Sequence, residues 1–218
     1  MDLHYYGHAT FGLISGGKTI VIDPFNDDIG YPKPHVTADA VVISHEHSDH
    51  NNVGLVQGAP KVHRGLADEG KAWAKLDERI GAVRVTGVPA YHDAEEGKKR
   101  GKNTVMIFEV EGLRVVHLGD LGHLLSDDQV KAIGAVDVLM IPVGGHYTIG
   151  PAEADKVIAQ LKPKVVVPMH FKTGVNAAWP IGTLDDFTKG KSGVKKVGAK
   201  ATITKAALPA KQEIWALV

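Results

Sequence analysis

Four stretches of this chain share one design, a short apolar run that stops on a side chain able to hold a metal ion. They are "AVVISHEHSDH" at 40–50, "VTGVPAYHD" at 85–93, "LRVVHLGD" at 113–120 and "KVVVPMH" at 164–170. Runs of four to seven residues rich in valine and isoleucine read as β-strands. Strands that carry their polar residues at one end bring them together only if those ends gather along one edge, which favours packed sheets over a helical bundle. Further runs of the same kind are "DLHYYG", "TFGLIS", "KTIVIDP", "KVHR", "TVMIFEV", "VDVLMIPV", "ATITKA" and "QEIWALV". Helical patterns are fewer: "NNVGLVQ", "LADEGKAWAKLD", "SDDQVKAIG", "PAEADKVIAQLK" and "TLDDFTKGKS". Ser126 reads as an N-cap followed by acids, and Pro151 as a first-turn proline. The layout predicts an α/β fold of two sheets packed face to face with helices outside. No Pro/Gly/Ser linker, low-complexity tract or internal repeat interrupts it, so one domain is expected over 1–218.

Composition narrows the chemistry. A chain of 218 residues should bury roughly 70% of its unfolded surface, enough for a sizeable core. Lys plus Arg equals Asp plus Glu at 25 each, so no global field draws in nucleic acid or an anionic membrane. There is no cysteine, which excludes disulfides, thiolate metal sites and a cysteine nucleophile. Metal ligands must then be His, Asp or Glu. The first residues, "MDLHYYGHATFGLI", lack a basic region followed by an apolar stretch, and no run reaches a membrane span of about 18 apolar residues. A cytoplasmic protein acting on a small molecule, with neither nucleic acid nor membrane as partner, is expected.

After the strand "AVVI", His45 and His47 stand two apart, and the alternation of an extended chain points both to one side. As the chain turns, Asp49 and His50 leave that line and reach towards a second metal, since one tetrahedral ion does not accommodate all four. His92, Asp120 and His170 end the other three runs. Neutral imidazoles with carboxylates suit zinc, with manganese and iron as alternatives. The plain alternatives are a histidine-rich loop at 45–50 and a turn aspartate at 120.

Through the HxHxDH motif at His45, His47, Asp49 and His50, followed in order by His92, Asp120 and His170, and with "IDP" at 22–24, the chain resembles the metallo-β-lactamase superfamily along essentially its whole length. The opening "YYGHATF" is similar to the small metal-dependent hydrolases of that superfamily that include ascorbate-6-phosphate lactonase-like proteins. The resemblance implies an αββα sandwich of two mixed sheets flanked by helices, with two divalent ions at the sheet edge. His45, His47 and His92 would hold one ion, Asp49, His50 and His170 the other, and Asp120 would bridge them. Two such ions roughly 3.5–4 Å apart supply an acidified water and polarise a carbonyl or phosphoryl oxygen. Asp49 would also orient the nucleophile and take its proton. Many members carry Thr or Ser after the bridging aspartate; Leu121 stands here and offers no hydroxyl.

Several residues admit two readings. Asp23 either hydrogen bonds a ligand imidazole or makes a simple Asp-Pro turn. His8 either contacts substrate or leaving group, a catalytic role, or is structural. His146 and His123 are offered as substrate-facing or acid–base groups against structural roles, and His117 as a core or ligand-supporting residue. Lys172 and the run "EEGKKRGKN" at 95–103, with Lys98, Lys99 and Arg100, either engage an anion or are solvated. Trp73, Trp179 and Trp215 are assigned to packing or an oligomer surface; His4, His35 and His63 carry no companion signal. The expected activity is hydrolysis of a small ester, lactone, amide or phosphoester. Two other readings stay open: a phosphodiesterase or nuclease, and a non-hydrolytic iron oxidoreductase on the same scaffold. Proteins of this size in the superfamily often associate, so a homo-oligomer is also open.

Overall fold

A computed structural model describes residues 1–218. Its strands in chain order are β1 Asp2–Gly7, β2 Thr10–Ser15, β3 Lys18–Ile22, β4 Ala40–Ile43, β5 Lys61–Arg64, β6 Leu66–Ala67, β7 Ala72–Trp73, β8 Asp77–Ile80, β9 Val83–Tyr91, β10 Lys102–Val110, β11 Leu113–His117, β12 Val138–Pro142, β13 Val165–Met169, β14 Val194–Lys196, β15 Lys200–Thr202 and β16 Glu213–Ala216. The helices are α1 Asp127–Ile133, α2 Pro151–Leu161 and α3 Leu184–Thr188. One sheet has the order β15-β1-β2-β3-β4-β5, and a second has β14-β16-β13-β12-β11-β10-β9-β8. Both are mixed: β3, β4 and β5 run parallel in the first, as do β11, β12, β13, β16 and β14 in the second, and the remaining pairs are antiparallel. This is the expected α/β sandwich.

The period-2 alternation explains how the layers stack. In β10, Met106, Phe108 and Val110 point between the sheets, where they meet Phe11, Leu13, Ile20 and Ile22 of the first sheet. Val105 and Ile107, one position out of phase, face the other way and pack with Val157, Ile158 and Leu161 of α2 and Phe187 of α3. A strand buried on both faces reads as one continuous apolar run, which is why "TVMIF" and "VLMI" show no polar alternation. The outer face of the first sheet is thinner. Val21, Val41 and Ile43 are covered by Ala38 and Val56 from loops and the 3-10 turn Val53–Leu55, with no α-helix on that side.

Two helices, α1 and α2, form where the sequence predicts them. In α1 the Ser126 hydroxyl accepts from Gln129 N while the Gln129 side chain accepts from Ser126 N, and α2 carries Pro at its start and ends at Lys162, just before Pro163. "TLDDFTKGKS" shortens to five helical residues behind a Thr183 cap. "NNVGLVQ" makes only the 3-10 turn, and "LADEGKAWAKLD" is not a helix. That second segment is the β6–β7 hairpin, pairing Leu66 with Trp73. Asp68 and Glu69 sit in the left-handed region and Gly70 at φ 88°, and the Trp73 indole N–H donates to Ala90 O and Asn103 O. Anchoring the tryptophan to neighbouring strands outweighs a helical periodicity that Gly70 already weakens. No helix of the protein is long and apolar enough to cross a membrane.

Candidate metal centre

The loops that follow β1, β3, β4, β9, β11, β12 and β13 all open at one edge of the sandwich, beyond the carboxyl ends of the parallel strands. Three residues there leave their strands in the left-handed conformation, His8 (φ 56°), Asp23 (φ 45°) and His170 (φ 52°). Non-glycine residues rarely hold that conformation, at a cost on the order of 1–3 kcal/mol each, and such outliers concentrate at functional sites.

The first sheet supplies a hydrogen-bonded base. Asp23, fully buried, accepts from Ser44 N at 2.7 Å, from the Ser44 hydroxyl at 2.5 Å and from His50 Nδ1 at 3.0 Å. Because the Ser44 hydroxyl donates its hydrogen bond to Asp23, its oxygen accepts from His45 Nδ1 at 2.9 Å. Both imidazoles therefore carry a proton on Nδ1 and turn Nε2 towards the cluster. Those two Nε2 atoms are buried with no partner in the protein, as is Asp120 Oδ1. Asp23 thus hydrogen bonds a cluster imidazole and is not a bare Asp-Pro turn.

Asp120 comes from the second sheet and sits in the middle of the cluster. Its Oδ2 lies 3.1 Å from His92 Nε2, 3.4 Å from His170 Nε2 and 3.9 Å from His45 Nε2, and its Oδ1 lies 3.3 Å from His50 Nε2. Asn103 positions it: the Asn103 amide donates to Leu118 O and its Oδ1 accepts from Asp120 N. Gly119 is required beside it, with φ 54° and space for no side chain, because a Cβ would stand 2.3 Å from Asn103 Oδ1 and 2.8 Å from Ser44 Oγ.

Ligand-capable atoms fall into two main groups, each within 4.8 Å: His45, His47 and His92, and His8, Asp49, His50 and His170. Asp23 groups with His45 and His50 by distance as well, but its oxygens are taken by the three donors already described. The electrostatics suit a cation. Burial, with His50 nearby, pushes His45 well below the usual histidine range, and burial with His92 lowers His47, leaving neutral imidazoles with lone pairs to donate. Burial would raise the Asp120 carboxyl, yet His170 and His50 hold it well below the carboxylate range. Burial also opposes a proton on His50, but Asp120 and Asp49 attract one strongly enough to raise it well above the usual value. Orphaned inward lone pairs around two buried or half-buried carboxylates fit divalent ions with nitrogen and oxygen ligands.

Other expectations resolve differently. His8 is wholly buried and does not face the cavity; its Nε2 lies 3.2 Å from Asp49 Oδ2, and burial with the neighbouring His170 lowers it to about 4. It stands behind Asp49 and is not among the residues that line the cavity. His123 is structural: Nδ1 donates to Leu124 O and Nε2 accepts from Tyr91 N. His117 is buried, donating from Nε2 to Ala9 O and accepting from Gly119 N. His146 is exposed, and the cavity is lined instead by the next residue, Tyr147. Lys172 lies outside the cavity lining, near Asp186.

A cavity of about 150 Å³ lies over the cluster, its floor made by His47, Asp49, His92, Asp120 and His170 and its walls by Tyr147, Trp179 and Arg100. Four larger hollows, of about 580, 450, 380 and 220 Å³, lie away from the ligand-capable groups, the two largest beside Trp73 and Leu125 and among surface ion pairs. Trp179 is therefore a wall of the cavity and not general packing; its ring meets His8 at 5.5 Å and Tyr147 at 5.9 Å. Trp73 stacks at the edge of Tyr91, and Trp215 packs against the inter-sheet core. Within 95–103 only Arg100 reaches the cavity. Sequence reasoning missed Ser44, Asn103, Tyr147 and Trp179. A serine directly before the HxH pair was a usable signal for the first, whereas the others arrive through contacts distant in the chain.

Residues 2–170 match the family model described as the beta-lactamase superfamily domain. A UPF0173 metal-dependent hydrolase of Thermococcus kodakarensis is 34% identical over 201 residues, 83% of this chain and 86% of that protein. A crystal structure from Thermotoga maritima, described as a candidate zinc-dependent hydrolase of the metallo-β-lactamase superfamily, is 38% identical with a TM-score of 0.77, covering 99% of this chain and 97% of the other. An isothiocyanate hydrolase from Delia radicum gut bacteria shares the fold at 16% identity, with a TM-score of 0.65 over 86% of this chain and 90% of that one.

Proposed function

The chain belongs to the metallo-β-lactamase superfamily and is one of its metal-dependent hydrolases, and from that premise we propose that it holds two divalent ions and hydrolyses a small ester, lactone, amide or phosphoester. The observation that carries the reading is the pair of ligand groups with the buried Asp120 between them. His45, His47 and His92 would hold one ion and Asp49, His50 and His170 the other, with the Asp120 carboxylate available to both. Zinc is placed first on the nitrogen and oxygen donor set and on the description of the Thermotoga maritima relative. Such ions supply an acidified water and polarise the oxygen of the bond under attack.

The chain's own residues do the rest. Asp49 is half-buried and borders the cavity, and although burial would raise it, His50 and His8 keep it ionised well below the usual carboxylate range. An ionised carboxylate at that place would orient the attacking water by accepting its hydrogen bond and would take up its proton as the water is deprotonated. His8 fixes the carboxylate's orientation from behind through the 3.2 Å contact. Tyr147 and Trp179 wall off bulk water and suit a substrate of few heavy atoms. This small cavity, and the absence of a net charge to collect phosphates, support a small molecule in preference to nucleic acid.

The test is metal content by mass spectrometry on gently purified protein, coupled to chromogenic ester, lactone and phosphodiester substrates with and without chelator. Two ions per chain with chelator-sensitive turnover are expected. His170→Asn keeps a residue that tolerates the left-handed backbone and should halve the metal content and abolish turnover; unchanged stoichiometry would refute the ligand assignment.

A further inference from the structure

Resting on the hydrolase reading, we propose that Arg100 selects a substrate with an anionic group, a carboxylate or a phosphate, placed next to the bond that is cleaved. Of the five arginines, Arg64, Arg84 and Arg114 each pair with a carboxylate; Arg79 and Arg100 do not, and of those two only Arg100 borders the cavity over the cluster. It is held by a neutral carbonyl and an aromatic face instead: one guanidinium nitrogen donates to His146 O at 3.0 Å, and the group lies 5.4 Å from the centroid of the Tyr147 ring. Neither contact neutralises its charge, and it lines the same 150 Å³ cavity as His92 and Asp120.

The backbone that carries it is organised for the purpose. The Asp93 carboxylate, directly after His92, accepts from the backbone N–H of Glu95 (2.8 Å), Gly97 (3.0 Å), Lys99 (3.0 Å) and Arg100 (2.7 Å). The loop is thereby wound round one buried acid, and its last member is fixed relative to a cluster histidine. The neighbouring cations are spent elsewhere: Lys98 is exposed and Lys99 pairs with Glu95. A planar guanidinium with free donors, set against an aromatic wall, matches the two-oxygen face of a carboxylate or phosphate. The walls leave space for little else, so that anion lies within a few bonds of the reacting centre.

Three small amides separate the ligand chemistries: succinamate carries a carboxylate, 3-phosphonopropionamide a phosphate-like group, and succinamide no charge. Each is titrated by calorimetry into metal-loaded wild type, Arg100→Gln and Arg100→Lys, with metal content measured on the same samples. Wild type should bind at least one anionic amide about tenfold or more tightly than succinamide, the scale of a charge-assisted hydrogen bond. The stronger of the two anions names the source. In Arg100→Gln the preference should collapse towards unity with metal content retained, and Arg100→Lys should restore part of it. No preference in wild type, or a preference that persists in Arg100→Gln because the anion sits on the metals, overturns the proposal. Arg100-dependent preference without turnover of any substrate leaves this inference standing and removes the hydrolase reading, so the two fail separately.

Discussion

Replacing Asp23 by asparagine changes almost no volume but reverses the logic of the base beneath the cluster. Oδ1 receives Ser44 N, while Oδ2 receives both the Ser44 hydroxyl and His50 Nδ1. If the new amide nitrogen takes the place of Oδ2, it donates where it formerly accepted. His50 Nδ1 must then be a lone pair, and the Ser44 hydroxyl must turn to donate to His45 Nδ1. Both histidines shift their proton to Nε2, the atom that faces the cluster. If the amide flips, its NH2 confronts the buried Ser44 N–H, and an orphaned buried donor costs about 1–3 kcal/mol. Either outcome has to be undone before an ion binds, and about 1.4 kcal/mol is tenfold in affinity. Asp23→Asn should therefore weaken metal binding by about 10–100-fold, the usual range for loss of such an orienting partner. Competition against a calibrated chelator measures the affinity, and imidazole nitrogen shifts report the tautomers of the metal-free protein. A folded variant with wild-type affinity and both protons still on Nδ1 would refute the reasoning.

Gly119→Ala should lose about 2–5 kcal/mol in urea denaturation, combining about 1–2 kcal/mol for a left-handed alanine with about 1–3 kcal/mol of overpacking against Asn103 and Ser44; a loss under about 1 kcal/mol would contradict the close approach. Phe108→Ala, fully buried between the sheets, should cost about 3–5 kcal/mol in the same assay. His117 is held below its ordinary value chiefly by burial, so the unfolded chain binds a proton that the folded one does not. Its contribution is complete above about pH 6.5 and is lost as pH falls towards the folded value, with a slope of at most about 1.36 kcal/mol per pH unit. His117→Gln should remove that share of the slope in chelator-treated protein between pH 7.5 and 5.5; an unchanged slope would show that His117 does not titrate on unfolding.

Much of this architecture is legible in the sequence because its signals are local. A strand buried on both faces must be continuously apolar, and a capping box must place Ser126 three residues before Gln129. The order of His45, His47, Asp49, His50, His92, Asp120 and His170 is likewise a linear pattern, and the fold does bring those side chains to one edge. What stays hidden depends on contacts distant in sequence. The 66–77 segment has helical spacing, but Trp73 finds its hydrogen bonds on β9 and β10. Asn103 supports Asp120 from seventeen residues away, and Trp179 lies in a loop with no local signature. The turn around Asp93 was within reach, since an aspartate followed by a glycine-containing polar loop is what a side-chain-centred turn requires.

The two sheets contribute unequally to the edge where the cluster stands. His45, His47, Asp49 and His50 leave the first sheet, while His92, Asp120 and His170 leave the second. On the proposed ligand set every ion takes ligands from both, so it closes a seam as well as activating a water. An ion present at 100 times its dissociation constant would add about 2.7 kcal/mol to the folded state. Chelation should then lower the unfolding temperature and loosen the sandwich first at that edge, where hydrogen exchange of residues 44–50 and 118–122 would report it. Metal supply would govern how long the molecule survives as well as how fast it works.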